Sequence, residues 1–218
     1  MMRVVLGLLV VAVGDVAAQP DVSKLAADAP TCDVARKTCL GIALHVPVTD
    51  DGPIATPKWI AGQLAEANRH FAPLDIGFQI VRTGTLPASV ARIEDRQERD
   101  TLGARLGTGV IDLFLTGQLD DIDTAGAQAN GVTWRKGTRK FVIVSTRAWD
   151  RTLAHELGHV FGLPHSTHAI SIMNKTERAE PPHDQRTFHA DELAKMKPRV
   201  RHLVRARVFA NLAAKRRR

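Results

Sequence analysis

The order of apolar and polar positions along the chain predicts alternating strands and helices. Five β-rich apolar runs are interpreted as strands, at residues 41–48, 76–83, 109–116, 125–134 and 140–146. Between the first two, Thr56-Pro57 predicts a helix start, because proline is favoured at the first helical position. Apolar residues then recur at helical spacing, at Trp59, Ile60, Leu64, Ala67 and Phe71. This order predicts an α/β or α+β fold whose sheet has mixed strand directions.

A second helical pattern follows Asp150, which we expect to cap the helix with its carboxylate. One apolar face repeats at i, i+4, i+7 and i+8, through Leu153, Leu157, Val160 and Phe161. His155 and His159 are four residues apart, which is about one helical turn, so both imidazoles point the same way. Such a pair can share one metal ion.

The residues around this pair complete a candidate catalytic zinc site. Glu156 is placed beside the pair, where it can hold a metal-bound water and take its proton. Gly162 can adopt a positive φ, which ends the helix and lets His165 return as a third ligand. Three protein nitrogens leave one position open, as in catalytic rather than structural zinc sites. We therefore predict one catalytic Zn²⁺ bound by His155, His159 and His165, with Glu156 as the catalytic residue.

The run from His155 to His165 resembles the extended zinc motif HExxHxxGxxH of the metzincin metallopeptidases. In that clan a later methionine forms a tight turn beneath the metal, and Met173 within the sequence SIMN matches this Met-turn. Met173 follows His165 by eight residues, a spacing similar to that of the matrixins. The resemblance implies a twisted, mixed five-stranded sheet with an active-site helix and a C-terminal helix, in a catalytic domain at residues 41–197. It also implies zinc-dependent hydrolysis of protein or peptide substrates.

The sequence differs from the known metzincin families in several features, so its family within the clan stays open. The chain contains no tyrosine, and Lys175 stands where some metzincin families place a tyrosine near the metal. The histidine-rich loop that holds a second, structural zinc in matrixins is missing between residues 109 and 131. An acidic turn at residues 120–123 could contribute to a Ca²⁺ site, although an exposed acidic turn is the favoured interpretation.

The resemblance further implies that an extended substrate lies along an edge strand beside the active-site helix. The best match is residues 125–130, whose small side chains would let a peptide backbone approach and pair. The candidate substrate strand contains Gly126, Ala127, Gln128 and Ala129. Glu156 would remove a proton from the zinc-activated water and pass it to the leaving amine. We favour an endopeptidase, because no cluster of charges is evident to hold a chain terminus. A zinc exopeptidase and a processing peptidase of one partner are the alternatives.

The N-terminus predicts export. Residues 1–18 combine a positive start, an apolar run of about ten residues and a small-residue cleavage site, which together are typical of a signal peptide. We expect a secreted protein, periplasmic or extracellular, that begins with a short segment at residues 19–40. In an oxidising compartment Cys32 and Cys39 are expected to form a disulfide. The alternative is that one thiolate caps the active-site metal in a latent form.

The net charge of +7 is concentrated at the C-terminus. Residues 195–218 contain ten Lys or Arg and no acidic residue, so residues 1–194 carry a net charge of −3. The overall basic charge is therefore no argument for nucleic-acid binding by the whole protein. Pro198 is expected to end one helix and begin a basic amphipathic helix at residues 198–218. We favour docking of this helix on the body; the alternative is a protein that binds anionic surfaces or nucleic acid through its tail.

The other histidines are interpreted as surface or hydrogen-bonding residues, with only His168 close enough to approach the cleft. They are His45, His70, His168, His183, His189 and His202. No nucleotide cofactor is predicted, and we expect a monomer.

Overall fold

The structure is a computed structural model that describes residues 21–215. The strands are β1 (Thr38–Thr49), β2 (Gly52–Pro53), β3 (Ile76–Leu86), β4 (Arg92–Ile93), β5 (Ile111–Thr116), β6 (Gln118–Leu119), β7 (Gly131–Lys136) and β8 (Arg139–Ser145). The helices are α1 (Pro57–Phe71), α2 (Arg96–Thr101), α3 (Thr152–Val160), α4 (Ala190–Arg205) and α5 (Leu212–Lys215). The predicted signal peptide lies outside the described residues.

One mixed sheet organises the molecule. Its order is β3-β1-β5-β8-β7, and the two-residue β2 pairs antiparallel with the end of β1. The pairs β1–β3, β1–β5 and β5–β8 are parallel, whereas β7 runs antiparallel to β8. The prediction of a mixed sheet with five main strands is confirmed. Within the described residues β7 pairs with no other strand, so it is an edge strand with one free side.

Alternate residues of the central strands enter two separate cores, as the period of two in a strand requires. On β5, Leu113 and Leu115 face the larger core, which also contains residues of α1, α3 and α4. Phe114, between them, faces a smaller core with Phe141 and Ile143 of β8. The sheet is thus covered on both faces, and the long helices pack on the face that carries α3.

The first helix follows its predicted pattern. Thr56 is its N-cap, with the hydroxyl accepting a hydrogen bond from the backbone N–H of Trp59 at 3.3 Å, and Pro57 is the first helical residue. The helix ends at Phe71, and a 3₁₀ turn that contains Pro73 follows.

The predicted strand at residues 125–134 is wrong in its first half. Gly126 adopts a left-handed conformation with φ of 77°, and Gln128 makes only an isolated bridge to Asp120. The backbone around it closes a local turn, since the N–H of Asp121 donates to the carbonyl of Ala127. Regular pairing begins only at Gly131, where β7 joins β8. The candidate substrate residues at 126–129 therefore lie in the turn before the edge strand and not in the strand.

The predicted helix break at Pro198 is also wrong. α4 runs continuously past Pro198, although proline removes one backbone donor and crowds the preceding turn. Met196, Val200 and Leu203, on both sides of the proline, are buried in the larger core. Their burial holds the helix together across the missing hydrogen bond, because packing supplies most of the stability of helices in proteins. The second half of α4 and the short α5 replace the separate helix expected at residues 198–218, whose surface-binding role stays a prediction.

The short N-terminal segment is joined to the sheet. Cys32 and Cys39 form a disulfide with a Cα–Cα distance of 5.9 Å, as expected from the sequence, and Cys39 lies within β1. Neither thiol is therefore free to cap a metal, and the latency alternative is wrong for this structure. Among the described residues, no helix has the length and apolar character needed to cross a membrane.

Candidate metal centre and active-site cleft

A side chain of α1 caps the start of the active-site helix α3. The predicted cap at Asp150 is wrong, because Arg151 is the N-cap residue and its side chain makes no capping hydrogen bond. Instead, the side-chain carbonyl of Gln63 in α1 accepts a hydrogen bond from the N–H of Leu153 at 3.0 Å. The amide of Gln63 donates to the carbonyl of Trp149 at 2.9 Å. Gln63 thus supplies the missing cap, a contact that no sequence spacing indicates.

The three predicted metal ligands come together at the C-terminal end of α3. His155 and His159 are half-buried, whereas His165 is exposed. One nitrogen of each ring lies within 4.8 Å of the other two. Gly162 has φ of 96°, so the predicted left-handed turn that brings His165 back is confirmed.

The hydrogen bonds of the His155 and His159 rings leave one nitrogen of each ring able to bind a cation. Nδ1 of His155 lies 2.7 Å from the carbonyl oxygen of Ile172, and Nδ1 of His159 lies 2.7 Å from that of Leu163. A carbonyl only accepts, so each neutral ring carries its proton on Nδ1. The two Nε2 atoms face each other at 3.1 Å, and both are then acceptors. Two lone pairs at this distance repel each other unless a cation lies between them.

The donor set suits zinc in particular. Ligand nitrogens about 2.0–2.1 Å from a tetrahedral zinc lie about 3.3 Å apart, close to the distance between the two Nε2 atoms. Carbonyls that fix the outer nitrogen are also the usual second shell of a metal-bound histidine. Burial is the main cause that lowers the pKa of His159 to about 4, and it also lowers the pKa of His155. Both rings are therefore neutral near pH 7 and available to a metal.

Glu156 lies beside this cluster and contacts the edge strand. Its side chain is buried, and burial raises the pKa of the carboxyl group to about 7. The hydroxyl of Thr133 on β7 lies 2.9 Å from Oε2 and 2.7 Å from the Glu156 carbonyl, and donates to one of them at a time. This donation opposes the rise in pKa. A Cβ atom on Gly131 would lie 3.1 Å from Oε1, so the absence of a side chain there lets β7 lie close to Glu156. Thr133 and Gly131 are site residues that the sequence analysis missed.

Met173, the residue of the predicted Met-turn, packs against α3, the helix that carries His155 and His159. It is fully buried, and a Cβ atom on Gly158 would lie 2.6 Å from its sulfur. Gly158, the one glycine within α3, therefore lets the methionine pack against the helix. The hydroxyl of Ser171 accepts from the N–H of Met173 at 2.9 Å and donates to the carboxylate of Glu192 at the start of α4. The C-terminal helix thus holds the Met-turn, through a buried carboxylate that no motif indicates.

Two hollows flank the cluster, and both are lined by Gly131, His155 and Glu156. The Met-turn hollow extends from Trp149 and Arg151 over residues 171–178, with a volume of about 560 Å³. The edge-strand hollow extends over residues 131–133 and 162–165, with a volume of about 740 Å³. Together they form a cleft that passes the candidate metal site on both sides.

The remaining sequence candidates lie outside this cleft, apart from His183 at the margin of the Met-turn hollow. His168 stacks on His189 at 3.7 Å and lines neither hollow. These two rings and Asp191 offer ligand atoms within 4.8 Å of one another. In the acidic turn, the carboxylates of Asp120 and Asp123 lie 3.7 Å from Arg92 and 2.9 Å from Arg96, respectively. Within residues 21–215 this turn forms no group of three candidate ligands.

Comparisons with known proteins agree with this geometry. Residues 125–197 match the matrixin family, which covers the edge strand, the active-site helix, the Met-turn and the first part of α4. No curated protein sequence matches the chain. The crystal structure of an archaemetzincin from Methanopyrus kandleri is similar over 76% of this chain and 98% of that one, at 18% identity and a TM-score of 0.53. Metalloproteinase-II from Bacteroides fragilis is similar over 79% of this chain and 55% of that one, at 16% identity and a TM-score of 0.49.

The sequence match and the fold define the class of this protein, a zinc metallopeptidase. Within that class the family match and the similar archaemetzincin structure both point to the metzincin clan.

Proposed function

We propose that this protein is a secreted zinc endopeptidase, with His155, His159 and His165 as zinc ligands and Glu156 as the general base. The observation that carries the proposal is the facing pair of Nε2 atoms, 3.1 Å apart, next to a buried carboxylate at the centre of an open cleft. Bound zinc supplies Lewis acidity and lowers the pKa of a coordinated water.

Glu156 has the position and the acidity for proton transfer. Burial raises the pKa of its carboxyl group, whereas a Zn²⁺ held by the neighbouring histidines would lower it, so near neutral pH the group is a carboxylate that can accept a proton. The carboxylate takes a proton from the attacking water and delivers it to the leaving amine. Thr133 holds the side chain by a hydrogen bond to Oε2, which limits the orientations of the base. With no tyrosine in the chain, backbone donors and the metal remain to stabilise the oxyanion.

The edge strand β7 is the proposed docking site for the substrate backbone. One side of β7 pairs with β8, and the other side is open among the described residues. An extended peptide can add there as a further strand, with main-chain hydrogen bonds that do not depend on its sequence. Gly131 and Thr133 lie on this strand beside Glu156. A peptide bound along the strand would therefore have the carbonyl of its scissile bond close to Glu156, the proposed base. This proposal moves the substrate strand from residues 125–130 to β7.

Cleavage within a chain is favoured over removal of terminal residues, although the Met-turn hollow does contain the cluster of charges that the sequence analysis did not find. The cleft has a hollow on each side of the metal site, so a polypeptide can extend in both directions from the scissile bond. A zinc exopeptidase that removes residues from one end is the competing function. We propose that the enzyme acts as a monomer on protein or peptide substrates.

Hydrolysis of a casein-type protein substrate by the zinc-loaded enzyme tests the proposal. We expect internal fragments that appear before free amino acids, and no fragments after treatment with a chelator. The Glu156→Gln variant is the matched control, since the amide keeps the shape of the side chain but cannot accept the proton. Hydrolysis that continues at the normal rate in this variant, or without metal, would contradict the mechanism. Release of single terminal residues alone would favour the exopeptidase.

Export is the second part of the proposal. It is supported by the predicted signal peptide at residues 1–18 and by the disulfide, which is typical of oxidising compartments. Expression in a host with an export pathway tests it. The mature protein should appear outside the cytoplasm with Gln19 as its first residue. Retention of residues 1–18 in a cytoplasmic product would contradict export.

A further inference from the structure

The Met-turn hollow has an unusual charge for a surface next to a catalytic carboxylate. Its walls carry four permanently cationic side chains, from Arg151, Lys175, Arg178 and Arg186. Glu177 is the only acidic residue of the hollow besides Glu156. Lys175, Arg178 and Arg186 lie close together in the chain, and the fold brings Arg151 at the start of the active-site helix to the same hollow.

Within the described part of the chain none of the four cationic side chains is in direct contact with a carboxylate, although Glu66 and Asp184 lie near enough to Arg151 to offset part of its charge. Arg178 donates to the carbonyls of Ala169, Ser171, Asn174 and Thr176, while Arg186 donates to those of Arg178 and Pro181. A carbonyl oxygen accepts a hydrogen bond but carries no net charge, so both guanidinium groups keep their full charge. Across residues 21–215 none of the four cationic side chains forms an ion pair. Their combined potential therefore acts on whatever enters the hollow.

Two of the cationic groups have a donor with no partner among the described residues. Lys175 is exposed, two residues after the buried Met173, and its ammonium group has no hydrogen bond within the described residues. Arg151 contacts His183 through Nη2, but its Nη1 is buried and donates to no group in residues 21–215. A free donor on an exposed cationic group next to a cleft, as on Lys175, is the arrangement that binds an anion by charge-assisted hydrogen bonds. Arg151, whose unpaired nitrogen is buried, contributes charge to the same hollow.

Burial and the same positive potential both shift the pKa of His183. Its ring stacks on the exposed Trp149 at the margin of the hollow, with ring centres 4.5 Å apart. Burial lowers the pKa of His183, and repulsion from Arg151, Arg186 and Arg178 lowers it further. A cation is thus disfavoured at this margin, and an anion is favoured.

We propose that the Met-turn hollow binds a carboxylate of the substrate, with Lys175 as the residue that selects it and Arg151 adding to the positive potential. The enzyme then prefers an acidic side chain next to the scissile bond, on the side that faces the Met-turn. The inference rests on the proposed peptidase function and names the substrate class of the same cleft. A free C-terminal carboxylate has the same chemistry, and the experiment separates these two sources.

The experiment compares matched peptides that carry Glu, Gln or Lys next to the cleaved bond, on either side of it. Each peptide is prepared with a free and with an amidated C-terminus, and kcat and KM are measured for the zinc-loaded mature enzyme at low ionic strength. We expect about tenfold higher kcat/KM for Glu than for Gln on one side of the bond, mainly through KM, because a charge-assisted hydrogen bond is added on binding. The preference should shrink in high salt, which screens a partly exposed charge.

Charge reversal at one position provides the sharper test. Lys175→Glu should abolish the preference for Glu and favour Lys instead. Lys195→Glu is the matched control, since it makes the same charge change at an exposed position of α4 that lines neither hollow. It should keep the preference of the parent enzyme. Zinc content and circular dichroism of both variants show whether the fold is retained.

Each possible result either supports or overturns the proposal that the hollow binds a carboxylate. Equal kcat/KM for Glu and Gln peptides within twofold, or the same loss in Lys195→Glu as in Lys175→Glu, overturns the proposal. Cleavage that requires a free C-terminus supports carboxylate binding but assigns it to the chain terminus instead of a side chain. Calorimetry of uncut peptides with the zinc-loaded Glu156→Gln variant measures binding alone. If no peptide is cleaved by the parent enzyme, the proposed function fails, while tighter binding of Glu than Gln peptides still supports the anion site.

Discussion

Five of the nine histidines of this protein fall into two groups with opposite surroundings. In the core, His45 donates to the carboxylate of Asp112 at 3.0 Å and stacks on a phenylalanine ring. His70 is fully buried, and both of its nitrogens contact side chains, those of Arg69 and Thr187. In the cleft, the inner nitrogens of the ligand histidines face one another instead of a partner.

This difference shows what separates a structural histidine from a candidate ligand. A buried ring with a donor or an acceptor at each nitrogen is already satisfied and has no capacity for a metal. A pair of rings whose outer nitrogens are both bound to carbonyls is left with two facing lone pairs. Burial alone does not distinguish the two groups, because it lowers the pKa of both His70 and His159 to about 4.

The largest effect should follow removal of a ring from the cleft group. His155→Ala, His159→Ala and His165→Ala should each lose zinc, since two nitrogens bind the ion far more weakly than three. Peptide hydrolysis should fall by about a thousandfold or more, because the Lewis acid is lost. His202→Ala, on the exposed side of α4, is the control and should keep one zinc per chain. Full zinc by metal analysis in any of the three variants would remove that residue from the ligand set.

Glu156→Gln should separate catalysis from metal binding within the same cluster. The variant should keep zinc and its thermal midpoint, while kcat falls by roughly 10²–10⁴-fold because the proton acceptor is gone. Glu180→Gln, an exposed carboxylate that lines neither hollow, should be indistinguishable from the parent. Turnover of Glu156→Gln within tenfold of the parent would show that another group takes the proton.

The packing of Met173 against α3 should affect stability more than metal content. Met173→Ala leaves a cavity in the core and should cost about 2–4 kcal/mol in the free energy of unfolding. Gly158→Ala should cost about 1–3 kcal/mol because the new Cβ meets the methionine sulfur. In the double variant the clash is absent, so the two costs should not add, and a denaturant-based double-mutant cycle measures the coupling. Fully additive costs would contradict the contact; zinc content at saturation should be unchanged throughout.

The smallest expected effect is the pH dependence of stability that arises from His70, one of the two core histidines. Burial is the main cause that lowers the pKa of His70 to about 4, with repulsion from Arg69 and Arg151 opposed by attraction from Glu66. The unfolded ring has a pKa of about 6.5, so the unfolded state binds more protons between these two values. The stability that His70 contributes is therefore fully present above the pKa of the unfolded ring. It is lost as the pH falls toward the pKa of the folded ring.

For this single ring the loss should be about 2 kcal/mol between about pH 7 and about pH 5. His70→Gln removes the titrating group, so its unfolding free energy, measured with zinc bound, should fall less over the same interval. The difference between the two proteins isolates His70 from the ligand histidines, which are common to both. Parallel curves for parent and variant would show that His70 is not the origin of the slope.

The local parts of the structure could be predicted from the sequence because they depend on neighbours in the chain. The proline start of α1, the spacing of His155 and His159 and the turn at Gly162 all arise within one or two helical turns. Backbone geometry alone relates such positions, so local spacing predicts the ligand set. The Met-turn is indicated only by the resemblance to the metzincins. The positions of four of the five main strands along the chain also follow from their apolar runs, whereas their order in the sheet does not.

Tertiary structure decided what depends on partners distant in the chain. Gln63 caps α3 in place of Asp150, and burial of Met196 and Val200 carries α4 through Pro198. The start of β7 at Gly131 depends on its pairing with β8 and on the close approach to Glu156. The cationic wall of the Met-turn hollow joins Arg151 to residues 175–186, which local patterns treat as unrelated. Hydrogen bonds, burial and charge act through space, and only the folded chain determines which residues they connect.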